Sequence, residues 1–180
     1  MEKPIRSLHH VTATVRDAQE DLDFYTALLG QRLVKKTVNF DNTRVYHFYY
    51  GDERGTPGTI MTTFPYGQFG VRQGIHGTGQ ITTTSFSIPE GSVPYWSQRL
   101  AFAGVPFRVE DSGFGEATLV FQDPSGLTIR LIESRNDDRT PWSRADIEDV
   151  RAVRGIHSVT LTVPNPRQTL AFMNEMMDTA

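Results

Sequence analysis

The sequence contains no cysteine. That excludes disulfides, thiolate metal sites and cysteine nucleophiles together. It also has no block of one charge: 18 Lys and Arg stand against 21 Asp and Glu, spread along the chain, for a net charge of -3. A nucleic-acid surface needs a concentrated basic patch, so no nucleic acid is expected as a partner. Long apolar runs are missing as well. Met1-Glu2-Lys3-Pro4 leads into no hydrophobic stretch, and nowhere do the roughly 20 apolar residues needed to span a bilayer follow one another. No membrane partner is expected, and the cytoplasm is the default location. What is present suffices for a globular core: 38% hydrophobic and 22% charged residues in a chain of 180, long enough for one large domain or two small ones.

A repeat dominates what is there. Leu8 to Val15 alternates and is rich in β-branched residues, so it reads as a strand. Asp17 is suited to cap a helix, with Glu20 three residues later. Leu22, Tyr25, Leu28 and Leu29 then recur at helical spacing, and Gly30 stands where a helix stops. Residues 31–40, 43–50 and 59–64 read as strands, completing a βαβββ order. The order returns, with a strand at 79–88 and a helix at 89–103 anchored by Tyr95, Trp96, Leu100 and Phe102. Strands follow at 105–110, 117–122 and 127–132, the last after the turn Asp123-Pro124-Ser125-Gly126. A polar stretch comes next. Then residues 155–163 repeat the opening strand and 168–177 repeat the helix, through Leu170, Phe172, Met173 and Met176.

Such self-similarity predicts an α+β protein of tandem modules: module 1 over residues 1–72, module 2 over 73–135, a linker over 136–152, and the start of an incomplete module 3 over 153–180. The third unit has a strand and a helix but no room for three further strands. We therefore expect the front part of something longer; the alternative is a tail that packs on the first two units.

Chemistry-bearing residues concentrate at the opening strand. Alternation sends His9 and His10 to opposite faces, with His10, Thr12 and Thr14 on one side and Val11, Ala13 and Val15 on the other. A face carrying His and Thr needs partners. A metal ion is one; a hydrogen-bonded or solvated pair of histidines is the plainer alternative. His47, among Tyr46, Phe48, Tyr49 and Tyr50, lines either a cleft for an aromatic ring or, as we prefer, the strand packing. His76 lies in a Gly-rich connector without the Lys and helix start of a phosphate loop. Lys35 and Lys36 read as an exposed edge, and no nucleophile elbow is present.

Tandem βαβββ units with histidine on the opening strand resemble the vicinal oxygen chelate superfamily, which includes glyoxalase I, bleomycin-resistance proteins and extradiol dioxygenases. More narrowly, Leu8-His9-His10-Val11-Thr12, Leu33 to Asp41, Tyr46-His47-Phe48-Tyr49-Tyr50-Gly51-Asp52 and Pro57-Gly58-Thr59-Ile60 are similar to the dioxygenases that open hydroquinone rings. The resemblance runs through Gly155-Ile156-His157-Ser158-Val159-Thr160. It implies curved mixed sheets with helices on the outside. It also implies Fe(II), or Mn(II), held by two histidines and a glutamate that leave positions open for oxygen and substrate. His10 matches the first metal ligand. His9 and Thr12 match catalytic residues beside the metal, His9 for proton transfer and Thr12 for orienting ligands.

The repeat tests this site. By pattern, His10 aligns with Thr83 and Ser158, and His9 with Thr82 and His157. The metal-facing slot thus holds an imidazole once, and His157 falls in the other register and reads as structural. The slot expected to carry the glutamate holds Thr62 in module 1 and Arg130 in module 2, and a guanidinium repels a cation. Glu133 reads as a solvated strand end. One ligand is present and two are lacking. The expectation is that they come from a fourth module pairing with the first, while the second pairs with the third, and that this length of chain is metal-poor and inactive.

The function this predicts is ring-cleaving, extradiol-type dioxygenation of a hydroquinone- or catechol-like aromatic. The partners are a small aromatic substrate and O2, with a homo-oligomer left open. The rival is a non-catalytic small-molecule binding or resistance module of the same fold. A glyoxalase I-like isomerase is weaker, since it needs a glutamate where Thr62 or Arg130 stands.

Overall fold

A computed structural model describes residue 5 and residues 7–144 and 146–177. Met1 to Pro4 and residues 178–180, which the module boundaries above include, lie outside these. Strand β1, His10–Val15, buries Val11 and Val15 and leaves His10, Thr12 and Thr14 exposed, as alternation requires. Helix α1, Ala18–Asp23, starts at Asp17, whose carboxylate accepts from the backbone N–H groups of Gln19 and Glu20. Glu20 does not reach back to close a capping box; it pairs with Arg16 at 2.8 Å. Over Phe24–Leu28 the helix widens, with Leu29 N–H bonding to Phe24 O five residues back. It ends at Gly30, whose φ of +71° suits glycine. A Cβ there would lie 2.4 Å from Ile147 Cδ1.

Strands β2 (Arg32–Val38), β3 (Tyr46–Gly51) and β4 (Ile60–Pro65) complete a sheet in the order β1-β4-β3-β2, with β1 parallel to β4. The second unit has β5 (Gln80–Pro89), α2 (Val93–Phe102), β6 (Phe107–Asp111), β7 (Ala117–Gln122) and β8 (Thr128–Ser134). Its sheet has a fifth strand, β9 (Gly155–Thr162), in the order β6-β7-β8-β5-β9. Helix α3, Pro166–Met177, follows with Leu170, Phe172 and Met176 exposed.

The parallel ladders of the two sheets correspond. β1 lies parallel to β4 with Thr12 opposite Thr62, and β5 lies parallel to β8 with Ser85 opposite Arg130. His10 and Thr83 therefore occupy the same position, two residues earlier. β5 and β9 pair antiparallel with Thr83 opposite Thr160 and Ser85 opposite Ser158. Exchanging Thr83 with Ser158 and Ser85 with Thr160 maps one pair onto the other. β5 has neighbours on both sides, whereas among the described residues β1 pairs with β4 alone and its outer edge is open.

One apolar cluster joins the units. Trp96, Leu100, Tyr25, Tyr50, Phe86 and Leu131 are fully buried in it, each such side chain stabilising the fold by about 1.5–3 kcal/mol. Arg99 ties α2 to the first helix through the carbonyls of Leu28 and Ala27, at 2.8 and 2.7 Å. Phe102 does not serve as an anchor: it is 98% exposed, because the buried stripe of α2 runs through Trp96 and Leu100, and two residues further on the helix has turned to solvent. The polar linker is ordered by Arg139, which donates to Gly58 O (2.8 Å) and Ile156 O (3.1 Å) and pairs with Asp137. It thereby ties the β3–β4 loop to β9.

Candidate active site: a histidine at an open sheet edge

The site is built on the face of the first sheet that carries His10. Register places Thr12 beside Thr62, and Thr62 beside Tyr49. Lys35 lies opposite Tyr49, and Thr37 opposite His47. Alternate residues of β1, β4, β3 and β2 thus put His10, Thr12, Thr62, Tyr49, His47 and Lys35 on one surface. The opposite surface, through Val11, Met61, Phe48 and Tyr50, faces the core.

His9 and His10 do not part company. Their Nδ1 atoms lie 3.1 Å apart and their rings meet edge to face at 5.2 Å. Regular strand geometry begins only at His10, so alternation does not govern His9. Its carbonyl is instead held by Gly58 N–H at 2.8 Å. One of the two Nδ1 atoms donates to the other, which leaves His10 Nε2 as the outward nitrogen. Thr12 accepts from Thr62 Oγ1 at 2.9 Å, so its own hydroxyl hydrogen is available to a ligand.

Further along this face, His47 stacks on Phe64 with ring centroids 3.9 Å apart, and its Nδ1 meets Tyr49 OH at 3.0 Å. His47 Nε2 is buried with no hydrogen-bond partner. Burial, with Lys35 and His10 nearby, pulls the His47 pKa below the ordinary histidine value, which keeps the ring neutral. Lys35 Nζ lies 5.5 Å over the Tyr49 ring, and Lys36 Nζ 4.4 Å over the Tyr46 ring on the other side.

The remaining sequence candidates have protein partners. His157 Nδ1 meets Ser158 Oγ at 3.1 Å and its Nε2 lies 3.5 Å from Glu116. His76 Nε2 lies 3.2 Å from Gly126 O. Arg130 faces Glu110 at 3.8 Å. Glu133 is not a solvated end; it accepts Val93 N–H at 2.7 Å and caps α2, where Ser92 makes no side-chain cap. That contact joins residues 40 apart and has no local signature.

Sequence reasoning also passed over Asp21. It is buried beneath β4, and its Oδ2 accepts from Thr63 Oγ1 at 2.5 Å and Tyr50 OH at 2.6 Å while its Oδ1 has no partner. Burial pushes its pKa up to about 6. Tyr25, stacked on Tyr50 at 4.9 Å, carries the contact on to Asp123 of the second unit at 3.3 Å. A mid-helix Asp two residues from polar neighbours reads as surface, so nothing local reveals it.

Among the described residues, no three His, Cys, Asp or Glu groups come together to hold a metal ion. His10 fits such an ion as a single ligand and does not cage it. A cavity of about 690 Å³ lies beside the outer edge of β1. It is lined by Thr12, Thr14, Gln80, Thr82, His76 and Gly126, among others, but His10 and His47 do not line it.

Paired βαβββ units, a parallel β1–β4 contact and an outward histidine on β1 define a glyoxalase-type sheet protein. A family model described as the Glyoxalase/Bleomycin resistance protein/Dioxygenase superfamily matches residues 7–131, and the chain belongs to that superfamily. It is 44% identical over 168 residues to MhqE of Bacillus subtilis (strain 168), which carries the name of a ring-cleaving dioxygenase; the match covers 93% of this chain and 54% of MhqE. It is 38% identical over 172 residues to the chlorohydroquinone/hydroquinone 1,2-dioxygenase of Sphingobium indicum, covering 94% of this chain and 53% of that protein. A crystal structure titled as a dioxygenase from Bacillus subtilis superposes with a TM-score of 0.91 at 39% identity, over 98% of this chain and 56% of that one. A glyoxalase/bleomycin resistance protein/dioxygenase domain from Frankia, 20% identical with a TM-score of 0.58, shares the fold. The chain spans about half the length of the curated relatives it matches.

Proposed function

We propose that this chain supplies the substrate-facing wall and the first metal ligand of a ring-cleaving dioxygenase that acts on hydroquinone- or catechol-like aromatics with O2. The observation that carries the reading is His10: the histidine at the matched position stands exposed on the open edge strand, its outward Nε2 uncommitted, in a chain 38–44% identical to relatives named for this chemistry. Fe(II) or Mn(II), when bound, supplies the site at which substrate and oxygen meet. A second histidine and a glutamate come from a partner that pairs with β1 as β9 pairs with β5, so the described residues alone are inactive. The residues of this chain position and shield. His10 holds one coordination position. The Thr12 hydroxyl hydrogen orients a ligand oxygen, and His9, 3.1 Å from His10, accepts or returns a proton at the rim. The aromatic floor of Tyr49 and Phe64 gives the ring a flat apolar seat. A cytoplasmic setting is part of the proposal; no helix among the described residues is long and apolar enough to cross a membrane.

The test is O2 uptake with hydroquinone by the protein as it is made in the cell, wild type against His10→Ala. Loss of ring cleavage in the variant is expected; full turnover would end the proposal. The second reading, a metal-independent binding module, is favoured by the lack of three clustered ligand groups among the described residues. Diphenol affinity that is unchanged by chelator, in a protein without oxygenase activity, selects that reading.

A further inference from the structure

The cavity of about 690 Å³ beside β1 has charges of one sign in its lining. Arg16 and Arg72 line it, and among the described residues no Asp or Glu does, in a chain whose net charge is -3. The carboxylates of the surrounding wall are taken. Glu20 pairs with Arg16 at 2.8 Å. Asp123 accepts the backbone N–H groups of Ser125 and Leu127, each at 2.9 Å, and Tyr25 OH at 3.3 Å. Among the described residues Arg72 has no ion-pair partner. Hydroxyls and amides, Thr82 and Gln122 among them, complete the wall together with the apolar Ile81 and Leu127. The volume is that of a small-molecule site, and an anion with an apolar body matches this chemistry.

Both units and their connector fix the wall. Gly67 N–H donates to Arg16 O at 2.9 Å, just past β1, and a Cβ on Gly67 would collide with that oxygen. Further along the connector, Gln73 Nε2 donates to Ser125 O at 2.9 Å and His76 Nε2 to Gly126 O at 3.2 Å. Arg16 N–H donates to Ser125 Oγ at 2.9 Å, which ties the end of β1 to the same turn.

Thr12 joins the cavity to the candidate active site. It lines the cavity and lies two residues from His10 on the same face, about 6.6 Å along the strand. Ring cleavage changes the charge of what is bound there. O2 takes electrons from the ring, both of its atoms enter the product, and one ring C–C bond breaks. The hydroxylated carbon ends as a carboxylic acid and its neighbour as an aldehyde, and the acid releases its proton. A neutral diphenol thus becomes an anion beside a cavity that attracts anions. Resting on the ring-cleavage reading above, we infer that this cavity is a carboxylate site that receives the ring-opened acid, with Arg72 meeting its carboxylate.

The experiment titrates sorbate, a six-carbon conjugated monocarboxylate, and its neutral counterpart 2,4-hexadien-1-ol into the protein as the cell makes it, by calorimetry. Wild type is expected to prefer sorbate. Arg72→Gln is expected to weaken sorbate about 3- to 5-fold, the value of an ion pair that stays partly solvated, and to leave the alcohol unchanged. Thr14→Trp, at an exposed position in the lining, fills the cavity and is expected to end the binding of both. Sorbate that does not bind, that binds undiminished to folded Thr14→Trp, or that Arg72→Gln does not weaken overturns the carboxylate site and leaves the ring-cleavage reading standing. Acetate bound as tightly as sorbate shows attraction by surface charge alone and overturns it too. Should Thr14→Trp not fold, Arg72→Gln decides. Sorbate bound as expected by a wild type that takes up no O2 with hydroquinone keeps the carboxylate site and overturns its assignment to the ring-opened acid.

Discussion

Asp21 makes a quantitative forecast. Its carboxylate is 2% exposed and accepts two short hydrogen bonds at Oδ2 while Oδ1 goes unpaired. Burial outweighs those bonds and raises its pKa from the ordinary 3.8 to about 6, with Asp123 across the unit junction adding to the rise. At about 1.4 kcal/mol per pH unit, that interval corresponds to about 3 kcal/mol. The direction follows from proton binding. Between pH 3.8 and about 6 the folded chain holds this proton more tightly than the unfolded chain. Stability from this group therefore falls as pH rises through that window and stays down above it. Asp21→Asn removes the ionisation. Urea unfolding from pH 4 to 7.5 measures the effect, and the difference between wild type and variant cancels the other carboxylates. Wild type should lose about 2.5 kcal/mol more than Asp21→Asn over this range, the rest of the interval lying below pH 4. Parallel profiles would refute the reasoning, and a wild type that gains relative to the variant would reverse its sign.

Three further outcomes follow from other contacts. Gly30→Ala should lower stability by about 2–4 kcal/mol in urea unfolding, since it combines a left-handed backbone with a Cβ 2.4 Å from Ile147 Cδ1. Arg139→Met should destabilise by about 2 kcal/mol, and Arg139→Met/Asp137→Asn by less, because the single change strands a carboxylate that is only 10% exposed. For Asp137, burial works to raise the pKa, but the bonds from the Arg139 side chain and backbone N–H win and hold it at about 2. Its contribution is thus present above pH 3.8 and lost as pH falls towards 2. Thr62→Val should weaken ligand binding by about 2- to 10-fold at unchanged fold, measured by titration, because Thr12 then loses the donor that fixes its hydroxyl.

Much of this was legible because the relevant signals are local and periodic. The alternation in Val11, Ala13 and Val15, the cap at Asp17, the stops at Gly30 and Gly104, and the triple recurrence of one strand pattern lead to the elements, and the parallel ladders place Thr12 opposite Thr62 as they place Ser85 opposite Arg130. What escaped is non-local or falls at an element's boundary. The convergence of His9 with His10 depends on where regular strand geometry begins. Glu133 caps a helix from another strand, 40 residues away. Asp21 looks like a helix-surface residue until β4 covers it. The unmet nitrogen of His47 is a statement about three side chains from two strands, and no spacing in the sequence encodes it.

That His10 holds the metal is tested most directly by the Fe and Mn content of the protein purified as the cell makes it, compared with His10→Ala and His9→Ala. More than a tenfold loss in His10→Ala with retention in His9→Ala is the predicted result. Undiminished metal in His10→Ala would contradict it.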